Sequence, residues 1–164
     1  MLNTSKAVIG ILLCALSAPL AANSIYLVRH AEKQQDGADP ALTECGKARA
    51  QALAALLSEI KLSAVYATPY QRTQQTAAAV AKQQQLSVSL YDPREPALLI
   101  EQLAQADGPV LVVGHSNTVP ALVTLLSSIE VAPLNEQQFD MIYQVDTKKS
   151  SVSIVRQAFQ CTAQ

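Results

Sequence analysis

Arg29 and His30 stand together where a short apolar run, Ser24-Ile25-Tyr26-Leu27-Val28, gives way to polar sequence. The one other histidine, His115, leaves a second apolar run, Val110-Leu111-Val112-Val113-Gly114. Arg72 follows a third exit, at Thr68-Pro69-Tyr70-Gln71. The chemistry these residue types could share is phosphoryl transfer. A neutral imidazole nitrogen can attack phosphorus and hold the phosphoryl group covalently. Charge on the equatorial oxygens must then be held by fixed donors. Arg29 and Arg72 can each offer a two-pronged fork to phosphate, and His115 can donate a further contact. Each residue alone reads more simply, His30 as a hydrogen-bonded histidine under a loop and the arginines as surface ion pairs.

The elements that must position these groups alternate between strand and helix, with no internal repeat. The first strand spans residues 25–29. A polar loop follows, and Thr43 is a good helix cap because its hydroxyl can accept from an exposed backbone N–H. The helix after it runs to about Ile60, with Leu53, Leu56, Leu57 and Ile60 at helical spacing. A second strand is expected over 64–67. The next helix has Thr68-Pro69 at its start, since proline is tolerated in a first turn. Strand 87–91 is ended by Asp92-Pro93, and a short helix covers 96–105. Strand 110–114 follows, then a helix over 117–127. Two last strands, 138–145 and 151–156, form an antiparallel pair at an edge. Short helical crossovers between buried apolar strands imply an α/β fold, a three-layer αβα sandwich with a mainly parallel sheet. In such a sheet the strand exits converge on one ligand crevice.

Bulk composition bounds the function. The 164 residues suffice for one domain. A formal net charge of -1, with no basic patch, argues against a nucleic-acid partner. The N-terminus is distinctive. Lys6 precedes an apolar stretch over 7–16 and the small residues of Ser17-Ala18-Pro19-Leu20-Ala21-Ala22. That order is the pattern of a secretory signal peptide, placed at residues 1–22 with the domain at 23–164. The apolar run falls short of the roughly 20 residues of a membrane span. An uncleaved anchor is the alternative, and Leu13 before Cys14 argues against a lipoprotein. The expected location is periplasmic or secreted, off the membrane once the signal is removed. Two cysteines, Cys45 and Cys161, remain in the exported chain and make a candidate disulfide, with two free thiols as the alternative.

Four segments, in this order, resemble those of the histidine phosphatase superfamily, also called the phosphoglycerate mutase-like family. They are Arg29-His30-Ala31-Glu32, the Leu42-Thr43 to Gly46 helix start, Thr68-Pro69 to Arg72-Thr73 with Thr76, and Gly114-His115. The resemblance covers most of the chain after residue 22. It implies that His30 is the phosphohistidine nucleophile and that Arg29, His30, Arg72 and His115 form the phosphate pocket. It implies neither metal nor organic cofactor. Thr43 and Gly46 read as structural. Ser116 and Asn117 could line the pocket, with Asn117 equally a helix cap.

Splitting a phosphomonoester requires a proton for the departing alkoxide. The candidates are Glu95, favoured here, with Asp92 and Glu32; Glu95 and Asp92 read otherwise as solvated loop charges. Some members of the family carry an acidic residue directly after the second histidine, but Ser116 occupies that place. The sequence therefore leads to an exported phosphatase of the histidine acid type, acting on a small phosphomonoester. A mutase is disfavoured by the short chain. The alternative is a non-catalytic envelope protein that binds a phosphorylated ligand in the same pocket. The sequence names neither the substrate nor the oligomeric state.

Overall fold

A computed structural model describes residues 24–161. The segment read as a signal peptide lies outside the described residues. The elements are β1 (Ser24–Arg29), α1 (Glu44–Leu56), β2 (Ala64–Ala67), α2 (Gln71–Gln84), β3 (Val88–Leu90), α3 (Pro96–Ala104), β4 (Val110–Gly114), α4 (Thr118–Ser127), β5 (Met141–Asp146) and β6 (Ser151–Arg156). They form one six-stranded sheet in the order β3-β2-β4-β1-β5-β6. The first four strands of that order run parallel. β5 and β6 are added antiparallel. Among the described residues no helix is long and apolar enough to cross a membrane.

The sheet is covered on both faces, which its period-two alternation requires. Along β1, Tyr26 and Val28 face one core with Leu53 of α1 and Val80 of α2. Ile25 and Leu27 face the other, with Leu99 of α3 and Val119 of α4. β4 repeats the division, with Leu111 and Val113 on the first face and Val110 and Val112 on the second. This is the expected αβα sandwich.

Several boundaries differ from the sequence expectation, two of them for a visible reason. α1 ends at Leu56 rather than near Ile60. Gln84 Nε2 donates to the carbonyls of Leu57 and Ile60 at 2.9 and 2.7 Å, taking acceptors that a longer helix would use. β5 begins at Met141, not at Gln138. The carbonyls of Asn135 and Gln138 instead turn toward Arg29. That change brings residues 135–139 to the end of the sheet where the unusual polar residues gather.

Candidate active site

Strand register brings the two histidines together. Arg29 pairs with Gly114 across the parallel β1–β4 ladder, so the residues that follow them, His30 and His115, leave the sheet side by side. The His30 amide donates to the Gly114 carbonyl at 2.9 Å. Gly114 is required by close approach. A Cβ there would meet Thr118 Oγ1 at 2.9 Å and the Tyr91 hydroxyl at 3.0 Å. Thr118 Oγ1 in turn accepts from the His115 amide at 2.9 Å, tying the exit of β4 to the first turn of α4.

His30 is 3% exposed. Its Nδ1 lies 2.8 Å from the Ala31 carbonyl. A carbonyl oxygen only accepts, so Nδ1 carries the proton and Nε2 keeps its lone pair. Burial, assisted by the charges of Arg29 and Arg72, holds the His30 pKa down at about 3. The ring is therefore neutral over the ordinary pH range, the state a nucleophile needs. The turn that carries it is fixed by Ala31, whose amide donates to Thr76 Oγ1 of α2 at 3.0 Å.

His115 is held differently. Its Nε2 is 2.9 Å from Thr68 Oγ1, which is 2.9 Å from Thr73 Oγ1. The Thr73 hydroxyl faces the carbonyls of Thr68 and Tyr70 at 2.9 and 2.8 Å and spends its proton there. Thr68 must then donate to Thr73 and accept from His115 Nε2–H. That leaves Nδ1 as the nitrogen that titrates. Burial, then Arg72 and Arg29, lower the His115 pKa to about 4.

The two guanidiniums differ in what engages them. Arg29 is buried, with Phe139 stacked over it at 4.3 Å. Its Nη1 donates to the Asn135 carbonyl at 2.8 Å and its Nη2 to Glu136 Oε2 at 3.0 Å. Arg72 stacks on Tyr70 at 4.5 Å and faces Asp39 at 3.7 Å. The Nε atoms of both arginines are buried and without a partner. Asp39 also accepts from the Gln71 amide at 3.0 Å, the cap that starts α2 and places Arg72 in its first turn.

Arg29, His30, Arg72 and His115 thus come to one end of the sheet. The proposed proton donors do not join them. Glu32 is bound to Arg49 of α1, with Nε–Oε1 at 2.9 Å and Nη2–Oε1 at 2.6 Å. Asp92 pairs with Arg94, whose hydrogen bonds hold its carboxylate pKa down at about 2. Glu95 precedes α3 without a side-chain capping bond and does not line the cleft beside His115. That cleft, about 330 Å³, is lined by Tyr70, Arg72, Pro93, Arg94, His115 and Asn117 among others. Asn117 sits at the N-cap of α4 but makes no capping bond with its side chain.

The site also holds residues that sequence reasoning missed. Thr68 and Thr73, which the sequence marks only as a helix start and part of a family-like segment, set the tautomer of His115. Phe139 and Glu136 come from a segment expected to be strand or linker. No local pattern marks them, because their partner Arg29 is 107 residues from Glu136. The disulfide joins Cys45 of α1 to Cys161, with Cα atoms 5.6 Å apart.

The class these features define is an αβα domain with a cationic, imidazole-lined cluster at its parallel strand exits. Residues 25–93 match the family model described as the histidine phosphatase superfamily (branch 1). Over those residues the chain resembles that superfamily. It is similar in structure to mycobacterial glucosyl-3-phosphoglycerate phosphatase in complex with inorganic phosphate. That match has 18% identity and a TM-score of 0.66, covering 84% of this chain and 98% of the other. It is similar to the protein histidine phosphatase SixA complexed with tungstate, at 21% identity and a TM-score of 0.65, covering 80% and 94%. A putative alpha-ribazole-5'-P phosphatase from Escherichia coli matches at 17% identity and a TM-score of 0.64, covering 83% and 96%. No curated protein matches in sequence.

Proposed function

We propose that this protein is an exported phosphatase of the histidine acid type that hydrolyses a small phosphomonoester through a phosphohistidine on His30. The observation that carries this reading is the pairing of a buried, neutral His30, its Nε2 lone pair free, with His115 and two guanidiniums. In the first step Nε2 attacks phosphorus and the ester oxygen leaves. Arg29 and Arg72 hold the charge on the equatorial oxygens, and His115 joins them when its Nδ1 takes up a proton. Water then attacks phosphorus, the N–P bond breaks and phosphate departs. Two proteins of similar structure form complexes with inorganic phosphate and with tungstate.

Export is supported by the charged, apolar and small-residue order of residues 1–22 and by the Cys45–Cys161 disulfide, a bond favoured in oxidising compartments. The test is incubation of the protein lacking residues 1–22 with p-nitrophenyl phosphate. The expected results are release of nitrophenol and an acid-labile phosphoryl adduct on His30, both lost in His30→Ala. Binding of inorganic phosphate with no adduct and no turnover would leave a non-catalytic phosphate-binding protein.

A further inference from the structure

Glu136 touches Arg29, the neighbour of His30, from the outer side of the cluster. Its Oε2 accepts from Arg29 Nη2 at 3.0 Å. Its Oε1 accepts from the Ser116 hydroxyl at 3.3 Å. Arg29 precedes the nucleophile in sequence, and Ser116 follows His115. The carboxylate therefore bridges the two strand exits that carry the imidazoles. It stands in space at the position after the second histidine, where the sequence itself offers only a serine.

Burial orders the site from inside to outside. His30 is 3% exposed, whereas the Glu136 side chain is 81% exposed. A phosphoryl group held by Arg29 and Arg72 meets the imidazole of buried His30. In-line displacement sends the leaving oxygen away from His30, toward solvent. Glu136 is exposed and bonded to Arg29 and Ser116, so it is reached from the solvent side. The other acids nearby are engaged elsewhere: Glu32 on Arg49, Asp92 on Arg94 and Asp39 on Arg72 and the Gln71 amide, while Glu95 makes no side-chain bond to the cluster.

We propose that Glu136 is the proton donor to the leaving alkoxide, released for that role when the substrate phosphate takes its place on Arg29. This rests on the phosphohistidine reading above. In the empty site the carboxylate is engaged by Arg29. A phosphate oxygen that takes its place on Arg29 frees it to carry a proton. A substrate entering as the monoanion brings the proton. In the first half-reaction the His30 Nε2–P bond forms and the P–O ester bond breaks. The electron pair goes to the leaving oxygen, which takes the proton from Glu136. In the second, Glu136 carboxylate accepts a proton from water as its oxygen attacks phosphorus. The N–P pair returns to His30 and the acid is restored.

The experiment compares a good with a poor leaving group, p-nitrophenyl phosphate and glycerol 3-phosphate, in the parent, Glu136→Gln and Glu136→Asp. Glu136 is exposed, so the variants should fold, and a thermal melt checks this. For Glu136→Gln the expected kcat on glycerol 3-phosphate falls by about 100-fold or more. The nitrophenol burst from the first turnover should stay within about threefold, since that leaving group needs no acid. Glu136→Asp should recover part of the loss. A fall in KM for both substrates with kcat unchanged would show a carboxylate that merely competes with phosphate, and would overturn the proposal. Equal loss on both substrates, or loss in Glu95→Gln with Glu136→Gln unaffected, would overturn it as well. If the parent gives no nitrophenol and no adduct, the underlying phosphatase reading fails instead.

Discussion

The rings of His30 and His115 lie 5.6 Å apart, centroid to centroid, at 66° to each other. Each is fixed by one ring nitrogen to a different anchor, His30 to its neighbour's carbonyl and His115 to Thr68. Neither anchor uses His30 Nε2. Burial first, and then the charges of the two nearby arginines, lowers their pKa values to about 3 and about 4.

The pH profile should follow from those values. A histidine with a lowered pKa stays neutral until the pH falls through that value. The unfolded chain binds the proton near 6.5. Catalysis dependent on free His30 should therefore show no acid limb at pH 6.5. The kcat/KM for p-nitrophenyl phosphate, whose leaving group needs no proton, should hold down to about pH 5. Stability has the opposite sign: the unfolded state takes up protons that the fold excludes, so it is full above about pH 6.5 and declines as the pH falls toward 4. A limb centred at 6.5 in the kinetics would contradict the neutral, buried His30.

Arg72→Lys should keep the charge and lose the fork. A guanidinium can hold two phosphate oxygens at once, and a point charge on a flexible stem cannot. Lysine also loses the planar stack on Tyr70. The expected outcome is a rise of about tenfold or more in the Kd for inorganic phosphate, measured by calorimetry. The melting temperature should change little, because Asp39 still caps α2 through the Gln71 amide.

Gly46→Ala should reach the active site from α1. A Cβ at residue 46 would lie 2.1 Å from the Glu32 carbonyl oxygen, a backbone atom that cannot swing away. The same carbonyl accepts from the Thr43 amide at 2.9 Å and helps place the turn after His30. Relieving the clash must separate α1 from that turn. The expected cost is about 1–3 kcal/mol in a denaturant melt, together with a loss of kcat.

Removing the Cys45–Cys161 bond should lower stability without touching the chemistry. It closes a separation of 116 residues. On the chain-entropy account a loop of that size contributes about 4–5 kcal/mol. The double variant Cys45→Ala/Cys161→Ala should melt at least about 8 °C lower. Its phosphate affinity should be unchanged, since neither sulfur contacts the cluster.

Arg49→Met should destabilise through the charge it leaves behind. Glu32 is partly buried and has Arg49 as its partner, while Arg49 Nη1 also donates to the Phe159 carbonyl at 3.3 Å. Stranding a carboxylate in that setting costs about 3 kcal/mol. Arg49→Met paired with Glu32→Gln should recover much of the loss. If the single and double variants melt alike, the ion pair carries no such weight.

Much of this was legible in residue order. The alternation of apolar strands with helical crossovers marked the sandwich, and Thr43 caps α1 through its hydroxyl, bonded at 3.0 Å to the Gly46 amide. Helix ends were less legible. α1 stops where Gln84, from the next helix, takes its carbonyls, and nothing local announces that. The segment over 135–140 misled for a similar reason: its alternation permits a strand, but its carbonyls are drawn to Arg29.

The sequence by itself determined the sheet and the identities of His30, His115, Arg29 and Arg72 as exit residues. Apolar periodicity and strand-end position are local properties, written within a few residues. Only the tertiary structure decided the state of each imidazole and which acids are free. Those depend on register, on burial and on partners up to 107 residues away, such as Glu136 on Arg29. Hydrogen-bond anchors and desolvation are set by what packs around a group, and a linear pattern carries no record of them.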